Sequence, residues 1–155
     1  MRVYAQEMSR PIVVFDGECA LCNGFVAWLI QHDPNAVFLI ASSAGDVGKA
    51  VVAAAGLEGG LTASTIVVWD GTRGLIRSNA VLAIATRLGW PWRALGALRV
   101  VPRAWRDAGY QAIAKRRARV RAQDPACGVP PAQLVAAWRA RLATAQDVEL
   151  VIAAP

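Results

Sequence analysis

Histidine, cysteine and long apolar runs are what this chain has least of, and each shortage removes a class of function. One histidine and three cysteines stand among 155 residues. A structural zinc site needs about four ligands, usually two pairs of Cys or His. Beside Cys19 and Cys22 only Cys127 and His32 remain, and His32 falls about 15 Å along a helix from that pair at 1.5 Å per residue. No metal is expected, and no motif asks for a cofactor. Three cysteines are too few for a disulfide framework. In a reducing compartment a close pair points to redox or metal chemistry rather than to a staple. No apolar run approaches the roughly 20 residues of a spanning helix. The first residues, Met1-Arg2-Val3-Tyr4-Ala5-Gln6-Glu7, lack the apolar stretch of a secretory signal. The chain reads as a soluble, cytoplasmic protein of one domain, long enough to bury an ordinary core.

Acidic residues run short after residue 65. Residues 1–65 hold three basic and six acidic side chains, and residues 66–155 hold fourteen and five, giving a net charge of +6. Nearly all of the basic charge is arginine, concentrated between Arg73 and Arg121. Two readings stay open: a surface for an anionic partner, whether a membrane or an acidic protein, and a solvated helix face. Nucleic acid is not expected, because there is charge without a reading motif.

What is present is a regular alternation of strands and helices. Pro11-Ile12-Val13-Val14-Phe15 is a wholly apolar, β-branched run and reads as a central strand. Leu21, Phe25 and Leu29, with Val26 and Ile30, recur at helical spacing until Asp33-Pro34 stops the helix. Residues 36–41 give a second apolar strand, which a right-handed crossover places parallel to the first. A helix over about 46–55 ends at Gly56. Residues 64–69 form a third strand, Asp70-Gly71-Thr72-Arg73-Gly74 a hairpin turn, and residues 75–77 a fourth strand. Ser78 or Asn79 is placed to cap a helix over 80–88. The order is βαβαββα, an α/β core at 10–89 with a mixed four-stranded sheet and helices on both faces: a minimal thioredoxin-like fold.

From Trp90 the chain becomes a helical extension, at 90–145, packed on that core. A helix over 103–121 carries Trp105, Tyr110 and Ile113 on one side and arginines elsewhere. Trp90, Trp92, Trp105 and Tyr110 could form a membrane-interface surface. Large apolar residues at helical spacing favour the other reading, in which most of these rings pack the extension onto the core. Pro131 opens a further helix through residue 142, and the tail at 148–154 fits either state.

The chemistry centres on Phe15-Asp16-Gly17-Glu18-Cys19-Ala20-Leu21-Cys22, where a strand gives way to a helix. A helix N-terminus carries roughly half a positive charge and unpaired N–H groups, which favour a thiolate. Cys19, at the helix start, is expected to be exposed and to attack. Cys22, one turn in, would resolve the mixed disulfide. Asp16 is placed to take or relay a proton from Cys22, or else it is a turn residue ahead of Gly17. Cys127 is either a third redox thiol or a small hydrophobe fixing its loop, and the usual burial of unpaired Cys favours the second.

The segment Asp16-Gly17-Glu18-Cys19-Ala20-Leu21-Cys22 resembles the signature of the DCC family of thiol-disulfide oxidoreductase-like proteins. So do Ser78-Asn79-Ala80, Trp92-Arg93, Val101-Pro102-Arg103, Asp107 with Tyr110, Ala114-Lys115-Arg116-Arg117, and Cys127 with Pro130. The likeness covers roughly residues 11–142. It implies a thioredoxin-like fold and an enzyme that cycles Cys19 and Cys22 between dithiol and disulfide on a protein disulfide or a small thiol. The alternative is a non-enzymatic adaptor that uses the arginine-rich helices. Where a thioredoxin has a cis-proline ahead of its third strand this chain has Ala63-Ser64-Thr65, which puts the usual backbone edge for a substrate peptide in question.

Overall fold

The apolar run at 12–15 becomes the hub of a four-stranded sheet. The computed structural model describes residues 10–57, 65–116, 118–121, 124 and 126–153. Strand β1 (Ile12–Phe15) is buried along its whole length. Its alternation sends Val13 and Phe15 to one face and Ile12 and Val14 to the other. Helix α1 (Ala20–His32), β2 (Leu39–Ser42), α2 (Asp46–Ala54), β3 (Val67–Trp69), β4 (Gly74–Ile76) and α3 (Arg77–Arg87) follow. The sheet order is β2-β1-β3-β4. β1 runs parallel to β2 and antiparallel to β3, with Val14 opposite Ala41 on one side and Val67 on the other. β4 returns antiparallel to β3. This is the expected thioredoxin-like arrangement, with Gly56 (φ +70°) ending α2 and the Leu57 N–H reaching back to the Val52 carbonyl at 3.1 Å.

Both faces of the sheet are covered. Residues of α1 and α3 pack on the Val13 and Phe15 side with Trp138, whose ring meets Phe15 edge-on at 5.7 Å. Residues of α2 pack on the Ile12 and Val14 side with Val148 and Val151. Of the tail at 148–154, residues 148–153 are therefore part of a helix, α6 (Ala145–Ala153), which lies against α2, and residue 154 lies outside the described residues.

Several local expectations change. β3 starts at Val67; Ala63 and Ser64 lie outside the described residues. Thr65 is not in the ladder, and its hydroxyl accepts the Arg77 N–H at 2.9 Å. Neither Ser78 nor Asn79 caps α3 from its own side chain. The helix starts earlier because Asp107, from the extension, accepts the Ser78 N–H at 3.3 Å and the Ser78 hydroxyl. The segment Trp92–Val100 is a 3₁₀-helix, and α4 (Arg103–Ala114) stops before 121. The helix expected from Pro131 is a 3₁₀ turn at Ala132–Leu134 followed by α5 (Val135–Ala140).

The rings of the extension divide. Trp92 packs edge-on against Trp28 at 4.9 Å and His32 at 5.1 Å, and Tyr110 is half-buried. Trp90 and Trp105 are 78% and 75% exposed, so the expectation that most rings pack inward holds for only half of them. The 3₁₀-helix and α4 contribute no fully buried residue. Both rest on α3, itself an outer layer, and on their far sides Val100 and Trp105 stay exposed among the described residues. Among the described residues no helix is long and apolar enough to cross a membrane.

Candidate active site

β1 ends in a turn that α1 must start from, and Asp16 shapes that turn. Its Oδ1 accepts the Glu18 N–H at 3.0 Å, the local hydrogen bond for which aspartate is favoured before glycine. Cys19 is then the N-cap of α1, and its Sγ accepts the Cys22 N–H at 3.3 Å. A sulfur thus occupies the place where Ser or Asp would ordinarily satisfy the helix's unpaired donors. The two thiols sit one turn apart at the C-terminal edge of a central strand. Both are in the reduced form here.

Cys19 was expected at the surface, and it is 0% exposed. Residues 118–120 lie across it as a short antiparallel pairing, with Arg119 opposite Cys19. The Ala20 N–H donates to the Ala118 carbonyl and the Val120 N–H to the Glu18 carbonyl, both at 2.9 Å. The strap is tied by charge as well. Arg119 donates from Nη1 to Asp16 Oδ2 and lies 3.4 Å from Glu18 through Nη2. The Asp16 hydrogen bond and charge, then Glu18, push the Arg119 guanidinium above its ordinary value. Asp16 is thus both a turn residue and half of an ion pair whose other half comes from 103 positions away.

Asn23 completes the frame. It is buried, and its Nδ2 donates to the carbonyls of Gly17 and Cys19 at 2.8 and 2.9 Å. Its Oδ1 accepts the Val129 N–H at 2.8 Å. One side chain therefore fixes the loop before the cysteines and the loop after Cys127. Gly128 makes room for it: φ is +74°, and a Cβ would lie 2.7 Å from Asn23 Oδ1 and 2.9 Å from the Phe15 ring. The Cys127 carbonyl accepts the Trp138 indole N–H at 2.7 Å. The Cys127 thiol is half-buried, 3.4 Å from Asp124 Oδ2. Burial, then the hydrogen bond and charge of Asp124, push this thiol up from its ordinary value, which disfavours a nucleophilic role.

The extension joins the core beside the thiols. Tyr110 Oη accepts the Ile66 N–H at 3.1 Å and lies 3.2 Å from Thr65 Oγ1. Arg106 Nη1 reaches Asn79 Oδ1 at 3.1 Å. His32 is engaged elsewhere, stacked on Trp28 at 4.9 Å with Nδ1 2.7 Å from the Trp28 carbonyl oxygen. Among the described residues no group of three His, Cys, Asp or Glu side chains is arranged to hold a metal.

Sequence reasoning singled out Cys19, Cys22 and Asp16 and missed Asn23 and Arg119. Asn23 carries a signal, since it is a polar residue between Cys22 and Val26 on the buried face of an apolar helix. Arg119 carries none, being one arginine in a run of them.

Comparison with known proteins is consistent with this geometry. A family model described as DCC1-like thiol-disulfide oxidoreductase matches residues 13–123, from β1 through the strap. The uncharacterized protein YuxK of Bacillus subtilis (strain 168) is 29% identical over 126 residues, covering 81% of this chain and 91% of that protein. A chloroplastic DCC family protein of Arabidopsis thaliana is 30% identical over 125 residues, covering 80% of this chain and 72% of that one. No solved structure matches the chain.

Proposed function

The chain belongs to the DCC1-like thiol-disulfide oxidoreductase family, and on that premise we propose that it is a protein-disulfide oxidoreductase working through Cys19 and Cys22. The observation that carries this reading is the sulfur of Cys19 as N-cap of α1, accepting the Cys22 N–H. A thiolate formed there meets the positive end of the helix.

The chemistry balances with two thiols and one disulfide. The Cys19 thiolate attacks one client sulfur, the client S–S bond breaks, and the departing sulfur takes a proton. Cys22 gives up its proton and attacks the Cys19 sulfur of the mixed disulfide, releasing the second client thiol. The client gains two electrons and two protons, and the pair becomes a disulfide that a cellular dithiol reductant resets. The reverse order oxidises a client dithiol. The proposed clients are protein disulfides or small thiols, and the proposed setting is the reducing cytoplasm.

The buried state of Cys19 adds a step. The strap at 118–120 must lift before any client sulfur reaches it, and lifting it parts Arg119 from Asp16. Parting the pair frees Asp16 Oδ2 from Arg119, and in this reading Asp16 relays the proton of Cys22. The test is disulfide reduction by Cys19→Ser: activity should vanish, and activity equal to the parent's overturns the reading.

A second reading rests on a different observation, the exposed apolar groups of the extension. Trp90, Trp105 and Val100 stand out among ten basic residues and one acidic residue over 87–121. Rings and aliphatic side chains interleaved with arginines suit the interface of an anionic membrane. Sedimentation with anionic but not neutral vesicles, accompanied by a blue shift of tryptophan emission, supports it. No binding at low salt removes it, and binding to an acidic protein without that shift turns the surface into a protein-docking face.

A further inference from the structure

The exchange reading leaves open how a client is recognised, and the wall of Cys22 bears on that. A cavity of about 200 Å³ opens beside the thiol pair, between α1 and α4. Leu21, Cys22 and Phe25 line it from α1, Ile66 from just ahead of β3, and Tyr110 and Ile113 from α4. Leu21 and Ile113 are among the exposed large apolar residues of the molecule, so the rim is apolar and faces solvent. The Tyr110 hydroxyl, the one hydroxyl in this wall, is already engaged with the Ile66 N–H and Thr65. The same bond caps the backbone ahead of β3, so a client main chain finds the Ile66 donor taken. What faces an incoming client is an apolar cup with a thiol in its side.

We propose that this cup seats a large apolar side chain adjacent to the reacting cysteine of a client peptide, so that clients are selected by that side chain rather than by backbone pairing. An apolar cavity of about 150 Å³ is enough to hold benzene, so this one holds a phenyl ring or a branched aliphatic group. A mostly apolar lining with a few placed polar or reactive groups is the usual character of a small binding site. Seating the neighbouring residue there holds the client sulfur next to the pair while Cys19 carries the mixed disulfide. The covalent steps are those given above, and the cup adds no oxidant or reductant to them. The inference rests on the exchange reading, and the following experiment separates the two.

The reduced protein is mixed in single turnover with two symmetrical peptide disulfides, one built from Gly-Cys-Phe-Gly and the other from Gly-Cys-Ser-Gly. The phenylalanine peptide should react at least about tenfold faster, the discrimination that one apolar group gives in a hydrophobic pocket. Ile113→Trp, which fills the mouth from an exposed position, should bring the ratio of the two rates toward one. Leu21→Ser, on the opposite rim, should lower the ratio as well. Equal rates with the parent protein overturn the seat and leave exchange standing. A preference that survives both variants places recognition elsewhere and also overturns it. If neither peptide reacts, the exchange reading itself fails and the seat with it.

Discussion

Helix α1 is tied at both ends by an aspartate and an arginine from the second half of the chain, and the two ties are built for different purposes. At its C-terminal end Asp33 meets Arg141 at 2.8 Å, and both side chains are nearly removed from solvent. Asp33 also accepts the N–H groups of Val37 and Phe38 at 3.0 Å, and Arg141 Nη2 donates to the Asp33 carbonyl at 2.6 Å. Both Asp33 carboxylate oxygens and both terminal nitrogens of Arg141 are engaged there, so the tie is a clamp between α1, the start of β2 and the end of α5. At the N-terminal end Asp16 is similarly sheltered, but the Arg119 side chain is 63% exposed. That pair is solvated on one side, and the strand it holds has two backbone hydrogen bonds. The same residue types make a fixture at one end of the helix and a releasable cover at the other, and the thiols lie under the cover.

The first way to break this contrast is Arg141→Ala. It leaves the Asp33 carboxylate buried without its partner and should cost about 3–5 kcal/mol in urea unfolding, or prevent folding altogether. A loss below about 1 kcal/mol would show that the clamp is no stronger than a surface pair. Arg119→Ala should behave in the opposite way. The unfolding midpoint should stay near that of the parent while alkylation of Cys19 under native conditions speeds up several-fold, because the change loosens a local segment and not the core. Unchanged Cys19 reactivity would mean that the strap is not held by that pair.

A third test concerns the joint between α3 and α4. Burial works against the charge of Asp107, but hydrogen bonds from the Ser78 hydroxyl and N–H, followed by Arg103, outweigh it and hold the carboxyl below its ordinary value. A depressed value in the folded state stabilises above the unfolded value, near 4, and the contribution disappears as pH falls through the folded one. Asp107→Ala should therefore cost about 1 kcal/mol at pH 7, the scale of a lost helix cap. The gap between variant and parent should close only below about pH 4. The smallest effect is expected at Cys127. Cys127→Ala should change stability by less than about 1 kcal/mol and leave disulfide exchange as it was, since the raised thiol is poorly ionised at neutral pH. A Cys127 that alkylates as fast as Cys19 in the Arg119→Ala protein would contradict that.

The core was legible because its signals are local. An apolar β-branched run at 12–15, a helical period ending at Asp33-Pro34, and a glycine-bearing turn at 70–74 each dictate one element, and the handedness of the crossover orders the sheet. The cysteines were legible for the same reason, since strand, turn and helix start are neighbours. What stayed hidden depends on partners far along the chain. Cys19 is buried because Ala118–Val120 returns to it, and no pattern around residue 119 says so. α3 begins at Arg77 because Asp107 caps it from another helix, whereas a local rule looks to Ser78 or Asn79. Periodicity identified the apolar side of the extension but not whether anything covers it, so most of the rings were expected inward while Trp90 and Trp105 lie outward.

The claim on which the account turns is that Cys19 and Cys22 form one two-electron couple. The direct measurement is equilibration of the protein in glutathione buffers of graded potential, followed by mass spectrometry of each alkylated thiol. The prediction is a single transition in which Cys19 and Cys22 lose alkylation together, with a tenfold change in ratio per about 30 mV, while Cys127 is labelled throughout. A pair that stays fully alkylated across the range, or a disulfide that includes Cys127, contradicts it.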